Sequence, residues 1–395
     1  MGVRETTKNA KVAKVRLGDV LSVKARIGWQ GLTQKEHQAT GEYNLVTGTD
    51  FREGKVDFNR CVFVGKERYD QDPNIQLRDG DILITKDGTI GKVAVVEGMP
   101  RPATLNSGVF VLRDISGTLL VRYLYHYFLA PGFRRIVDGK LIGCTISHLN
   151  QKVLVNLPIP VRSLSDQKRI AEELDRICEL KKNAEERLAL MDQLVKSRFV
   201  EMFGDLQSNS KGWDVAPFEE AATIDGTLEK NFKRYADYPH IGIDSIVKGS
   251  GELVGYRTVS QDGVISGKYH FTPKHIIYSK IRPNLNKVAL PNFEGLCSAD
   301  AYAILPTDKS DRVYLAYVLR SQFFLDYIIP LSGRTGMPKA NRKQIQGFEL
   351  PLPPLALQRE FVAFVAEVDK SKSVLRETVA QMETLYKAKL QEYFG

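Results

Sequence analysis

The most constraining feature of this sequence is that its second half repeats its first at an offset of 191 residues. The 41-residue segment from Leu164 to Gly204 aligns without a gap on the segment from Leu355 to Gly395, with 11 identical positions. Both segments end in Phe-Gly, and shorter matches occur upstream of each. A repeat this long predicts the order globular portion, helix, globular portion, helix.

Each repeated segment predicts one long helix. Prolines exclude a helix just before it, Ser165 is placed to cap the first helix, and Gly204 is placed to end it. Apolar residues recur with the alternating four- and three-residue spacing of a heptad, which is typical of a coiled coil. The predicted interface residues are Ile170, Leu174, Ile177, Leu188, Met191 and Val195 in the first helix, and Phe361, Val365, Val368, Leu375, Val379 and Met382 in the second.

Two helices with equivalent apolar stripes are most simply partners of one another. If a pseudo-twofold axis relates the repeats, the helices pair antiparallel and hold the two globular portions at a fixed separation. A helix of this length spans roughly 58 Å at ~1.5 Å per residue. The alternative is that each helix packs on the core of its own globular portion.

Residues 14–150 and 213–350 carry short runs of β-forming residues bounded by turn signals. Aromatic-rich helical stretches follow at 121–133 and 313–329. The sequence therefore predicts an α+β class: two α+β portions with a twisted or barrel-like sheet, separated by two long helices.

Two loops in each globular portion are candidates for DNA contact. The net charge of +9 falls mostly in these portions, and clustered positive charge suits a phosphate backbone. Lys, Arg, Asn and Thr on Gly/Pro loops suit phosphate and base-edge contacts, although any one of them could simply be a solvated surface residue. The candidates are Lys86, Thr89, Lys92, Lys140, Thr145 and His148 in the first repeat, and Lys280, Arg282, Asn284, Lys287, Arg334, Thr335, Lys339 and Arg342 in the second.

These loops occupy matching places in the two repeats but differ in their residues. The segment 87–90 reads Asp-Gly-Thr-Ile, whereas 281–285 reads Ile-Arg-Pro-Asn-Leu. A shared frame with different loops predicts two unlike DNA half-sites.

We find no motif for catalysis, for a cofactor or for a metal. The run Gly88–Lys92 resembles a phosphate-binding loop, but Lys86 and Val93 stand where that pattern requires Gly and Ser or Thr. The histidines lack metal-ligand spacing, and the four cysteines are scattered without a Cys-x-x-Cys pair. Together with an N-terminus lacking an apolar signal region, this favours a cytoplasmic protein with free thiols.

Several of these segments resemble the specificity subunits of type I restriction-modification systems. They are Leu157-Pro-Ile-Pro160, the helix from Asp166, its end at Leu194–Asp205, Gly80-Asp-Ile-Leu-Ile84 and Lys280-Ile-Arg-Pro283. The resemblance covers nearly the whole chain in the family's order. The first repeat departs from it before the helix, where Arg162-Ser-Leu164 replaces the Pro-Pro-Leu that the second repeat keeps.

The resemblance implies two target recognition domains, at 1–155 and 206–350, each followed by a helical region, at 156–205 and 351–395. It implies that the chain reads a split DNA target and carries no cofactor. It also implies two modification subunits that bind S-adenosylmethionine and methylate adenine, and restriction subunits that use ATP and Mg. The alternatives are a self-sufficient methyltransferase or nuclease with an unrecognised site, and a coiled-coil scaffold that binds no DNA.

Overall fold

A computed structural model describes residues 13–26, 32–141, 149–333 and 336–395. The chain forms two compact units. Unit 1 comprises Met1–Glu185 and Arg376–Gly395, and unit 2 comprises Glu186–Leu375. Each unit therefore contains one globular portion together with part of both long helices.

The described residues of unit 1 form three sheets, of two, six and three strands. The strands in spatial order are β1 (Lys14–Arg16) and β11 (Pro158–Pro160); β2 (Leu21–Ala25), β10 (Val109–Asp114), β7 (Ile82–Thr85), β8 (Val93–Val95), β5 (Lys55–Val56) and β4 (Phe51–Arg52); and β6 (Val62–Val64), β3 (Tyr43–Val46) and β9 (Ala103–Leu105). Its short helices are α1 (Leu17–Val20), α2 (Lys66–Asp70), α3 (Val121–Leu129), α4 (Pro131–Leu141) and α5 (Gln151–Val155).

In unit 2 the described residues form sheets of two, four and five strands. They are β12 (Val215–Pro217) and β22 (Glu349–Pro351); β13 (Ala222–Asp225), β21 (Ala301–Pro306), β18 (Ile276–Ser279) and β19 (Val288–Ala289); and β14 (Leu228–Glu229), β17 (Lys268–Phe271), β20 (Gly295–Cys297), β15 (Pro239–Ile241) and β16 (Arg257–Thr258). Its short helices are α7 (Phe218–Ala221), α8 (Arg312–Arg320), α9 (Gln322–Leu331) and α10 (Arg342–Gln346).

The two long helices are α6 (Leu164–Phe203) and α11 (Leu355–Phe394). The prediction that Ser165 caps α6 is wrong, because the Ser163 hydroxyl accepts a hydrogen bond from the Asp166 amide at 3.1 Å. The predicted stop at Gly204 is confirmed: its φ of +79° is a left-handed conformation that glycine adopts without steric cost. The predicted α+β class with two long helices is thus confirmed.

In unit 1 the beginning of α6 packs against the end of α11. Ile170 and Leu174 lie in the same buried core as Leu390 and Phe394, and the ring of Phe394 contacts that of Tyr123 at 5.1 Å. The ion pairs Glu173–Lys389 and Lys181–Glu383 join the two segments farther along. Since α11 numbering falls as α6 numbering rises, the segments are antiparallel.

Unit 2 repeats this arrangement with the helices exchanged. Phe199 and Phe203, near the end of α6, pack their rings against Phe361 near the start of α11. Lys372 pairs with Asp192 at 2.6 Å, which again gives antiparallel segments.

The predicted interface positions of both helices are all buried or half-buried. The two packing schemes considered from the sequence occur together. Ile170 and Leu174 contact both the other long helix and the globular core of unit 1, and Phe361 and Val365 do the same in unit 2.

The predicted stretches at 121–133 and 313–329 are helical, and each is divided into two helices by one extended residue. Ala130 precedes Pro131, whose ring disfavours helical geometry in the preceding residue, and Ala130 is extended with ψ of 144°. Ser321 is also extended, and its hydroxyl caps α9 by accepting from the Phe324 amide.

A buried glutamine fastens each long helix to the globular portion. Gln167 accepts from the Leu120 amide at 2.9 Å and donates to the Thr118 and Arg162 carbonyls. Gln358 makes the equivalent bonds to the Asp311 amide and to the Lys309 and Pro353 carbonyls. This residue, identical in the two repeats, therefore satisfies three backbone groups at each helix–domain junction.

We expect Gln358→Ala to lower the free energy of unfolding by about 1–3 kcal/mol, because buried backbone groups lose their partner. Gln381→Ala, on the exposed face of α11, serves as the control and should change it by less than about 0.5 kcal/mol. Urea denaturation measures both. Equal effects of the two substitutions would contradict the assigned role of Gln358.

Candidate nucleic-acid interface

Equivalent β-hairpins carry the first pair of candidate loops. The loop between β7 and β8 is closed by the Thr85 amide, which donates to the Lys92 carbonyl at 3.0 Å. The loop between β18 and β19 is closed by the same bond from Ser279 to Lys287, also at 3.0 Å. The repeat seen in the sequence thus corresponds to one backbone frame used twice.

Lys86 and Lys280 occupy the same place in these frames. Each ammonium group lies over an aromatic ring of the neighbouring strand, Phe110 at 5.4 Å and Tyr302 at 5.1 Å. Burial lowers the pKa of Lys280 below its usual value, and the nearby Asp300 carboxylate offsets this effect only in part. The aromatic rings hold these cations close to the sheet.

The second candidate loop in each unit is joined to the first by a backbone bond. The Lys86 carbonyl accepts from the Leu149 amide at 3.0 Å, and the Lys280 carbonyl accepts from the Ala340 amide at 2.8 Å. In unit 2 the Arg282 amide also donates to the Pro338 carbonyl at 2.8 Å. The two loops of unit 2 therefore form one continuous surface.

Unit 2 places two of the predicted cations, Lys280 and Lys339, near one carboxylate, that of Asp300. Lys339 is half exposed, with its ammonium 3.5 Å from Asp300, and the Lys280 side chain lies in the same neighbourhood. Arg282 and Asn284 are exposed on the loop, and the guanidinium of Arg342 lies against Gly226. We call Lys280, Arg282, Asn284, Lys339 and Arg342 the basic surface of unit 2.

Other predicted residues are placed differently. Thr89 and Lys92 are exposed on the hairpin loop of unit 1. Lys287 is half-buried, and its ammonium donates to the Ile243 carbonyl at 2.6 Å, so this cation is already used within unit 2. Outside the described residues lie Thr145, His148, Arg334, Thr335 and the side chain of Lys140.

Lys268 was missed by the sequence reasoning. This lysine of β17 is 7% exposed and donates to the carbonyl and hydroxyl of Ser266. Burial lowers its pKa, whereas Asp300 raises it, so Lys268 belongs to the same electrostatic neighbourhood as Lys280. Lys268 lies on a strand and not on a loop that matches between the repeats, so the sequence gives no signal for it.

Among the described residues, no group of three or more His, Cys, Asp or Glu side chains is arranged to hold a metal ion. No helix in the described ranges is both long enough and apolar enough to cross a membrane.

Comparison with known proteins gives one consistent family. The family model for the type I restriction modification DNA specificity domain matches residues 9–190 and again residues 210–383. The EcoDI specificity subunit of Escherichia coli is 28% identical over 318 residues, covering 70% of each chain. The putative MjaX specificity subunit of Methanocaldococcus jannaschii is 21% identical over 384 residues, or 89% of this chain and 86% of that one.

Solved structures show the same fold. The S subunit of a type I restriction-modification system from M. genitalium superposes with a TM-score of 0.60 at 13% identity, covering 99% of this chain and 98% of that chain. A chain from a solved type I R-M system superposes with a TM-score of 0.54 at 19% identity, covering 97% of both chains.

The backbone of Arg282 allows a test of the loop geometry. Arg282 has φ of +49°, a left-handed conformation in which a Cβ costs roughly 1–2 kcal/mol. We expect Arg282→Gly to leave the free energy of unfolding unchanged or raise it by up to about 1 kcal/mol, because relief of strain is partly offset by the entropy of glycine. Arg282→Ala keeps the Cβ and is the control. A larger loss of stability in the glycine variant than in the alanine variant would contradict this geometry.

Proposed function

From the finding that this chain belongs to the type I restriction-modification DNA specificity subunits, we propose that each of its two units reads one part of a split DNA target. The observation that carries the proposal is the pair of equivalent hairpin frames, each with a lysine held over an aromatic ring beside a second loop. Within the frames the loop residues differ, which suits two unlike half-sites.

Two kinds of contact are expected at each half-site. The lysine and arginine side chains neutralise phosphates and set the position of each unit on the duplex. Arg282, Asn284 and Arg342 have the donor groups that read guanine and adenine edges in the major groove. The equivalent loop of unit 1 offers Thr89 and Lys92 instead.

The partners follow from the family. We propose that two modification subunits dock on this chain, bind S-adenosylmethionine and methylate adenine, and that restriction subunits using ATP and Mg complete the complex. The rival is a chain that catalyses methyl transfer or cleavage by itself. Turnover by the purified chain, without partners, would favour the rival.

The basic surface predicts a specific salt response. Binding of target DNA should weaken linearly in a plot of log affinity against log salt. Lys280→Gln and Lys339→Gln should each weaken binding and reduce that slope by about 1 if the lysine contacts a phosphate. Fluorescence anisotropy with labelled duplexes over a salt series measures both quantities.

Lys309→Gln is the matched control for this series. Lys309 follows β21 and forms an ion pair with Glu220. It therefore lies past Pro306, whereas the candidate loops lie near the opposite end of that strand, at Ala301. It should leave the slope unchanged. A slope unaffected by both loop substitutions would remove these two lysines from the phosphate contacts.

We further propose that the length of the long helices sets the number of base pairs between the half-sites. Inserting seven residues after Ala184 and seven after Leu375 keeps the heptad phase and lengthens both helices by about 10 Å. At 3.4 Å per base pair, the preferred spacer should grow by about three base pairs, with both half-sites unchanged.

A four-residue insertion after Ala184 is the control, because it breaks the heptad phase and should impair folding or assembly. Binding to a library of targets with different spacers reads out the result. An unchanged preferred spacer in the folded seven-residue variant would contradict a measuring role for the helices.

A further inference from the structure

A chain of hydrogen bonds centred on a buried histidine joins α3, α6 and α11 in unit 1. His126 is completely buried; its Nε2 lies 2.8 Å from an Asp175 oxygen, and its Nδ1 lies 2.8 Å from the Tyr386 hydroxyl. An ionised carboxylate cannot donate, so Nε2–H donates to Asp175 and Nδ1 accepts from Tyr386. The Tyr386 hydroxyl of α11 is thus linked through His126 of α3 to Asp175 of α6.

The charge state of Asp175 supports this assignment. Burial raises its pKa, but hydrogen bonds from His126 and Arg122 outweigh that effect and hold the pKa at about 2. Burial lowers the pKa of His126 below its usual value, and the bond to Asp175 offsets this effect only in part. His126 is therefore a neutral side chain beside a carboxylate, with a single acceptor nitrogen left for Tyr386.

We call the His126–Asp175–Tyr386 contacts the first polar layer of this helix pair, and two further polar layers lie along the same two helices. Glu173 accepts from the Tyr393 hydroxyl at 2.6 Å and pairs with Lys389 at 3.0 Å. Farther along, Lys181 pairs with Glu383 at 2.7 Å.

Unit 2 lacks the first of these layers at the equivalent positions, 191 residues away. Tyr317 replaces His126, Ala366 replaces Asp175, and Val195 replaces Tyr386. Tyr317 packs its ring on Phe199 at 5.8 Å and on Phe361 at 5.1 Å, so this place in unit 2 is aromatic and apolar.

Of the other two layers, one differs between the units and one is the same in both. Where unit 1 has Glu173 and Lys389, unit 2 has Phe364 beneath the guanidinium of Arg198. The third layer is common to both, since Lys372–Asp192 is the equivalent of Lys181–Glu383. The first two layers therefore distinguish the end of α11 from the end of α6, and the third does not.

This difference between the units matters because the repeated helices could also pair between two copies of the chain instead of within one. With matched heptads, α6 of one copy of the chain can pair with α6 of a second copy, and α11 with α11. In that exchange Val195 would face His126 and leave its buried Nδ1 without a donor. Tyr386 would bring a hydroxyl into the aromatic cluster of unit 2. Buried hydrogen-bonding groups without partners are costly, so both sites would oppose the exchange.

We propose that the His126–Asp175–Tyr386 network is a pairing-specificity device, which makes the ends of α6 and α11 non-interchangeable and suppresses exchange of helices between two copies of the chain. A polar group buried in an otherwise apolar helix interface is known to fix register and partner choice in coiled coils. The proposal does not depend on DNA binding.

The test uses two full-length copies with different affinity tags, produced together. The measured quantity is the fraction of the second tag that is recovered with the first. The wild-type chain should give almost no mixed species. Tyr386→Phe keeps the ring but removes the hydroxyl, so native pairing loses part of its advantage. The mixed fraction should rise about tenfold, as expected for the loss of one hydrogen bond of about 1.4 kcal/mol to the buried His126.

Two triple variants extend the test. His126→Tyr with Asp175→Ala and Tyr386→Val gives unit 1 the residues of unit 2, and Tyr317→His with Ala366→Asp and Val195→Tyr does the reverse. Each makes the two helix ends alike, so each should raise the mixed fraction further. Glu383→Gln, in the layer common to both units, is the control and should lower stability without raising the mixed fraction.

Near-ultraviolet circular dichroism establishes which variants are folded. If a triple variant does not fold, the nearly isosteric Tyr386→Phe variant decides. The proposal is overturned if folded Tyr386→Phe mixes no more than wild type, if Glu383→Gln mixes as much as Tyr386→Phe, or if wild-type copies already mix freely. DNA affinity of the same samples is recorded separately, so a failure of the proposed function would leave this result readable.

Discussion

The structure depends on the packing of each long helix against parts of both the other helix and a globular core. The end of α11 inserts Phe394 beside Tyr123 in unit 1, and the end of α6 inserts Phe203 beside Tyr314 in unit 2. Because the apolar positions are shared between two partners, neither helix can shift without disturbing a core. Gln167 and Gln358 add directional bonds that fix where each helix begins.

A backbone frame used twice is compatible with the proposal that the two units read unlike half-sites. The hairpin frame, the cation over an aromatic ring and the bond to the second loop are repeated in both units. These features are set by backbone hydrogen bonds and buried residues, which leaves the loop tips free to differ. Arg282 and Asn284 in unit 2 and Thr89 in unit 1 therefore lie on equivalent loops although their side chains differ.

Much of the fold follows from the sequence, because a heptad repeated at a constant offset allows few arrangements. The stop at Gly204 and the buried positions of the helices are set by local geometry and periodicity. The breaks at Ala130 and Ser321 were missed because the aromatic pattern continues through them. The hydrogen-bond partners of a side chain are harder to predict. The sequence pattern places Lys287 on an exposed loop, but its ammonium donates to the Ile243 carbonyl. His126 is hydrogen-bonded to Tyr386, which lies 260 residues away in the sequence. The assignment of the loop residues to DNA contact remains a prediction.

The most direct test of a two-reader chain is to map methylated adenines in cells that carry this chain with its modification partner. We expect one split motif with two unlike parts. Exchanging residues 280–286 for the equivalent loop of unit 1 should change only one of those parts. A continuous motif, or a change in both parts after this exchange, would contradict it.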